Sequence, residues 1–424
     1  MDADAHYLLL GLAALGALFM AFNNGANDVA NSFASAVGAK AISMRQAVLI
    51  AGLMNLIGAV LIGGNVSAKL ITGVLNPDQF LDAAGEPDAT TYLVAMFSVL
   101  VAAGTFVLLS TLTKLPVSSS HSIVGSLVGA SVVAGGVNTV NWPVLTGIVV
   151  SWFVSPVLAG LLSLGLYTFI KRGILASSSQ VMERVRYYLP FIIALTIAVF
   201  VLILMKGSVL AAYRPSGWWE MTLFMVILIP YGTLVSQGTL RTLTMQMQDS
   251  EESAELVFRR LQVGTSSYVA FAHGANDVAN AISPVFAVYL VVQSGGLPTE
   301  ELVAATGVPL WILVLGGAGI ALGIGTLGHR VIETLSEKIT QIDNFKGFSV
   351  DFSAATTVVG ASLLGLPVSS THAATGAIVG TGLYEGKGIQ WRVLGRIFAA
   401  WIVTVPVAGG FTVAVFFLLR LIFV

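Results

Sequence analysis

One seven-residue phrase occurs twice in this chain. Gly25-Ala26-Asn27-Asp28-Val29-Ala30-Asn31 returns unchanged as Gly274-Ala275-Asn276-Asp277-Val278-Ala279-Asn280. Each copy lies inside an apolar stretch long enough to cross a bilayer, roughly residues 7–38 and 263–293. Each sets a carboxylate and two amides where hydrocarbon is expected, and glycine and asparagine weaken a helix there. An ionisable residue at such depth marks a functional site by default. Two identical copies in one polypeptide predict a single site built at the interface of two repeats.

Composition sets the class. Of 424 residues, 56% are hydrophobic and 10% charged, against roughly 25% charged in a soluble domain. The chain reads as an all-α, polytopic membrane protein. A barrel is excluded because the apolar segments run unbroken for ~20 residues rather than alternating over ~10. A net charge of −1 without a basic cluster argues against nucleic acid as a partner. The absence of cysteine removes disulfides, thiolate nucleophiles and Cys-ligated metals. The acidic start Met1-Asp2-Ala3-Asp4 lacks the positive n-region of a signal peptide, so the first apolar stretch is expected to be a retained span.

As one helix, residues 7–38 would be ~48 Å long, so the span must tilt or break, and Asn23-Asn24-Gly25 offers the place. The apolar stretches 91–135 and 350–383 are interrupted by Pro116-Val117-Ser118-Ser119-Ser120-His121 and Pro367-Val368-Ser369-Ser370-Thr371-His372. Proline stops a helix and a serine run caps a new one, which predicts two re-entrant hairpins of half-helices. Asn27 to Asn276 is 249 positions, Pro116 to Pro367 is 251, and Trp142 to Trp391 is 249. The expected organisation is a first repeat at 1–171, a connecting region at 172–261 with two spans and a polar loop, and a second repeat at 262–424. That makes about twelve membrane segments, each repeat holding a broken helix and a hairpin. Placing the basic loops 39–46, 171–187, 241–261 and 329–348 inside puts both termini outside and inverts the repeats.

The two phrases and the two tips suit ions of opposite sign. A desolvated cation needs several hard oxygens, which Asp28, Asp277, the amides of Asn27 and Asn276 and freed carbonyls supply. An oxyanion could not rest directly on the two carboxylates. The helices starting at the tips turn free N–H groups and a positive dipole end toward the centre. Ser118, Ser119, Ser120, Ser369, Ser370 and Thr371 add uncharged donors, making a cradle for a tetrahedral oxyanion. The plainer alternatives are amides that glue helices together and serines that only cap. His121 and His372 are expected to brace the hairpins more than to ligate. Lys114 has no basic counterpart, Gly365 standing in its place. Zinc motifs, P-loops and nucleotide-fold glycines are absent.

The doubled GANDVAN, with PVSSSHS at 116–122 and PVSSTHA at 367–373, resembles the PiT family of inorganic phosphate transporters. The resemblance covers both repeats and implies cation-coupled phosphate symport by alternating access, in a cell membrane, with no enzyme activity. It places Asn27, Asp28, Asn276 and Asp277 in the ion and substrate site, with Ser118 to Ser120 and Ser369 to Thr371 reaching it from either side. Sodium is the expected coupling ion, because paired oxygen-rich breaks suit a bare cation. No cofactor is expected, and a homo-oligomer is left open. Proton coupling, sulfate as cargo and an anion channel are the alternatives. A channel would need a continuous polar lining, and a phosphatase would need an activated nucleophile that Ser120-His121 does not provide.

Overall fold

The computed structural model describes residues 3–82, 84–113, 117–177, 179–207, 217–332, 343–386, 389 and 391–423. Lys114 and Pro116 at the first tip, and Lys338 in the loop 329–348, lie outside the described residues. Fourteen α-helices account for most of the rest: α1 (Ala3–Asp28), α2 (Ala30–Gly38), α3 (Met44–Gly73), α4 (Ala89–Leu112), α5 (Ser119–Gly135), α6 (Trp142–Phe169) and α7 (Val181–Gly207). The remainder are α8 (Trp218–Thr244), α9 (Glu251–Ser294), α10 (Glu300–Thr306), α11 (Leu310–Gly323), α12 (Asn344–Leu363), α13 (Ser370–Glu385) and α14 (Trp391–Phe423). Among the described residues, eight helices are long and apolar enough to cross a membrane. Adding the remaining arms of the two hairpins α4–α5 and α12–α13, which are α5, α12 and α13, and the 27-residue α7 gives the expected twelve segments.

The helices begin where the sequence supplies caps. Ser43 and Gln46 close a capping box on α3, and Asp88 accepts from Thr91 N at 2.9 Å to start α4. At the hairpin tips, Ser118 Oγ accepts from His121 N and Ser369 Oγ from His372 N, both at 3.3 Å. The serine runs therefore start α5 and α13 as expected. The first arms are longer than half-helices: α4 has 24 residues and α12 has 20.

The structure shows both hairpins and their inversion. The base of the first hairpin lies beside the start of α6, where Asn141 N donates to Val74 O at 2.9 Å and Asn76 N to Thr139 O at 2.8 Å. The base of the second lies at the far end of α6, where Tyr167 OH donates to Glu385 at 3.0 Å and Lys346 pairs with Glu385 at 2.7 Å. The tips meet between, with Ser120 Oγ donating to Val368 O at 3.0 Å.

Two sequence expectations need correction. The first phrase is interrupted not at Asn23-Asn24-Gly25 but at Val29, where the backbone stays near helical values (φ −57°, ψ −28°). The second phrase is not broken at all; it runs inside α9, a single helix of 44 residues, ~66 Å long. The polar stretch 251–261 is the first three turns of α9, so the division drawn at 261/262 falls inside a helix. The glycines serve close approach instead of a break. A methyl on Gly25 would overlap the carbonyl of Ile320 on α11, and one on Gly274 would overlap that of Asn55 on α3. Gly323 and Gly58 make the reciprocal approaches to Phe22 and Phe271. Small residues let membrane helices touch backbone to backbone, so α1 lies tightly on α11 and α9 on α3.

Candidate ion and substrate site

These close crossings draw the two phrases together. Asp28 and Asp277 are 2% and 0% exposed, and with His273 their ligand atoms lie within 4.8 Å of one another. Asp28 Oδ1 accepts from its neighbour Asn27 Nδ2 at 3.0 Å, and Oδ2 accepts from Ser119 Oγ at 2.9 Å. Asp277 repeats the pattern: Oδ1 accepts from Asn276 Nδ2 at 2.6 Å and Oδ2 from Ser370 Oγ at 3.0 Å. Thr111 Oγ1 donates to Asn27 Oδ1 at 3.1 Å, and Ser362 Oγ to Asn276 Oδ1 at 3.4 Å. Each hairpin thus holds its own repeat's carboxylate with a tip serine and its asparagine with a hydroxyl on the preceding arm.

The tips also cross between repeats. Asn31 Nδ2 donates to Thr371 Oγ1 at 3.0 Å, and Asn280 Nδ2 reaches Ser119 Oγ at 3.4 Å. Asn276 Nδ2 also donates to Val368 O at 2.6 Å, so this amide braces the second tip as well as its acid. The Asn-Asp pairs of both phrases and the hydroxyl residues of both tips are gathered here. Ser118 and Ser369, however, use their oxygens as caps instead of facing the carboxylates. The N–H groups of Ser119, Ser120, Ser370 and Thr371 find no acceptor among the described residues, as the first positions of a helix should not. Two side-chain oxygens, Asn24 Oδ1 and Asn280 Oδ1, are buried without a donor.

Sequence reasoning missed His273. It occupies the place of Asn24 in the first repeat, one turn before Asp277. Asn24 Nδ2 donates to the Asp277 carbonyl at 3.1 Å, whereas His273 Nε2 stands 2.8 Å from Asp277 Oδ2 and 3.7 Å from Asp28 Oδ2. Its Nδ1 is 2.5 Å from Asn55 Oδ1, and Asn55 Nδ2 donates to Ala51 O at 2.8 Å, which fixes that oxygen as the acceptor. With Nδ1 donating to Asn55, Nε2 faces Oδ2, and a proton on that contact would remove the repulsion between two bare acceptors. The only signal for this group was the departure of one repeat from the other at a single position.

Asp351 on α12 was missed as well. It is 2% exposed and accepts from Ser266 Oγ at 2.6 Å and Ser35 Oγ at 3.3 Å. Gln262, one turn before Ser266, is fully buried, and neither of its side-chain atoms has a partner. Asp28, Asn31 and Ser35 lead from the centre toward Asp351 along α1 and α2; Asp277, His273 and Ser266 do so along α9. This stripe runs toward the end of the molecule that holds Lys40 and Glu251, and the first repeat has no equivalent, Leu100 matching Asp351.

The sequence pattern described as the phosphate transporter family matches residues 24–412. The chain belongs to that family. A Pyrococcus abyssi protein with the provisional name phosphate permease is 40% identical over 435 residues, covering all of both chains. A Haemophilus influenzae protein of the same provisional name is 34% identical over 419 residues, covering 98% of this chain and 97% of its own. A solved structure described as the sodium-dependent phosphate transporter matches with a TM-score of 0.88 at 39% identity, over 98% of this chain and 100% of its own. As a family member, this chain is a multi-pass membrane transporter of phosphate and not an enzyme, and the candidate site lies within the matched residues.

Proposed function

We propose that the chain carries inorganic phosphate together with sodium, by alternating access to the central site. One observation carries this reading: two buried carboxylates and two donor-free amide oxygens lie beside the N-termini of two opposed helices. Bare cations take the oxygens of Asp28, Asp277, Asn24 and Asn280, while Asn27 and Asn276 orient the acids by donating from Nδ2 to the Asp Oδ1 atoms. Phosphate takes the free N–H groups at the tips and the hydroxyls of Ser119, Ser120, Ser370 and Thr371, with Ser118 and Ser369 shaping each turn. Helix ends supply only ~0.3–2 kcal/mol each, too little to offset stripping a phosphate of water. The cations must supply the remaining charge, which couples the two cargoes. The likeness to a structure described as sodium-dependent supports the choice of ion.

Orientation follows from the basic residues. Lys40, Lys171, Arg184, Arg186 and Arg259 gather at the end where α6 finishes and α9 begins, so that end faces the cytoplasm of a cell membrane and both termini lie outside. A cation leaving inward meets Asp351, a third buried carboxylate, whose partners among the described residues are the Ser35 and Ser266 hydroxyls.

His273 favours a second reading, in which the proton it holds is the coupling ion. Phosphate uptake into proteoliposomes, with sodium and pH gradients imposed separately, decides between them. Accumulation driven by sodium at equal pH supports the proposal. Accumulation driven by a proton gradient in sodium-free buffer would replace sodium with protons, and equilibration without accumulation under either gradient would indicate a channel.

A further inference from the structure

Beside the carboxylates, the centre of the molecule holds four rings that the ion and phosphate chemistry does not use. His121 and His372, each the third residue of its hairpin helix, meet edge to face with centroids 4.5 Å apart. His121 stacks on Trp152 of α6 at 3.8 Å and 28°, and His372 stacks on Trp401 of α14 at 3.4 Å and 26°. The hydrogen bonds run the other way. His121 Nδ1 lies 3.0 Å from Trp401 O, and His372 Nδ1 lies 3.0 Å from Trp152 O. A carbonyl only accepts, so both Nδ1 atoms carry the hydrogen. Pro156, four residues after Trp152, has no N–H to offer that carbonyl, which leaves it open to His372.

These pairings follow how the helices are bundled. α5 lies on α14, where Gly125 and Gly129 approach Val405 and Gly409. α13 lies on α6, where Gly376 and Gly380 approach Pro156 and Gly160. Each hairpin is therefore seated on the last helix of the other repeat. His121 and Trp401 belong to one bundle, and His372 and Trp152 to the other. Both Nδ1 bonds lie within a bundle, and both stacks cross between bundles. A hydrogen bond tolerates little change in distance or angle, whereas stacked rings tolerate an in-plane offset. The Nε2 atoms of both histidines are buried without a partner, so no directional bond from them crosses the face.

We propose that His121, Trp152, His372 and Trp401 form the joint on which the two hairpin bundles slide during transport, with the histidines as positioning residues. The Nδ1 bonds fix each ring to its own bundle, and the stacks let the bundles shear while keeping the centre closed to water. Ser120 Oγ to Val368 O is a single bond across the same face and can be remade after a shift. This proposal rests on the alternating-access reading above.

The test uses the full-length protein in proteoliposomes, with His121→Phe and His372→Phe, which keep a stacking ring and lose the Nδ1 donor. Sodium-dependent phosphate binding should stay within about twofold of the parent, while turnover falls about tenfold, the effect of one buried hydrogen bond. The double variant should be little slower than either single one, because both act on one joint. His121→Asn, which restores a donor but removes the ring, should bind phosphate normally and remain slow. Equal losses in affinity and turnover, or unchanged turnover, would overturn the proposal. Should the variants not fold, Trp401 emission decides, read as the difference between the parent and Trp401→Phe. It should change between choline buffer and sodium plus phosphate, and an unchanged emission would overturn the joint. A parent protein that shows no exchange of external for internal phosphate would instead defeat the transport reading itself.

Discussion

His273 places Nε2 2.8 Å from Asp277 Oδ2, one turn away on the same unbroken helix. The same nitrogen is 3.7 Å from Asp28, so the ring lies between the acids of the two repeats. The sequence presents the two phrases as equals, but the site is not symmetric. Both acids accept from a tip serine, but only Asp277 also has a basic nitrogen at hydrogen-bond distance, 2.8 Å. Under the proposed reading, sodium arriving at Asp277 competes with a proton as well as with the Ser370 hydroxyl.

His273→Asn places in the second repeat the residue that the first repeat has at Asn24. Uptake by the variant should keep its activation by sodium, and its rate should depend less on pH than the parent's across the range in which the protein stays folded. Initial uptake rates across that range measure this. A pH profile unchanged by the substitution would remove His273 from the competition.

Asp28→Asn and Asp277→Asn keep the shape of the site and remove its charge. Each should lower the apparent affinity for sodium at least about tenfold, the scale of one lost charge-assisted contact, while the protein still folds and inserts. Sodium titration of phosphate uptake reads the shift. Sodium activation that stays at parental concentrations in both variants would make the carboxylates structural.

Asp351→Asn retains an acceptor for Ser266 and Ser35 but loses the charge. Phosphate and sodium binding at the central site should be near parental, and transport should slow several-fold, about 1 kcal/mol on the barrier. Equilibrium binding beside initial rates separates the two. Parental rates would show that Asp351 has no part in the path.

Gly25→Ala and Gly274→Ala introduce a methyl into backbone contacts with α11 and α3. Each should destabilise the protein by about 1–3 kcal/mol through overpacking. Gly360→Ala on α12 meets nothing within 4 Å, so it should be neutral or slightly stabilising. Thermal unfolding in detergent compares the three. Similar melting temperatures for all would mean the crossings are looser than described.

The repeats were legible because evolution of the two halves left the same words at the same spacing, and periodic proline–serine interruptions in apolar helices have few readings. Asp28, Asp277 and the tip residues could be found for that reason. His273 was hidden by the same symmetry, since matching phrases draw attention to what is identical, and the asymmetry lies one residue before the match. Asp351 was hidden because its partners, Ser35 and Ser266, come from helices distant in sequence. The glycines were misread because glycine weakens an isolated helix, whereas here a facing backbone needs the space. The polar turns 251–261 read as a loop or a short surface helix, not as the start of the second span, because α9 continues beyond the apolar length of a membrane span.

Phosphate binding by purified protein, titrated calorimetrically in sodium and in choline, tests the account most directly. Phosphate should bind weakly in choline and at least about tenfold more tightly in sodium, and phosphate should raise the affinity for sodium by the same factor. Equal phosphate affinity in the two salts would contradict the claim that co-bound cations supply the charge this site lacks.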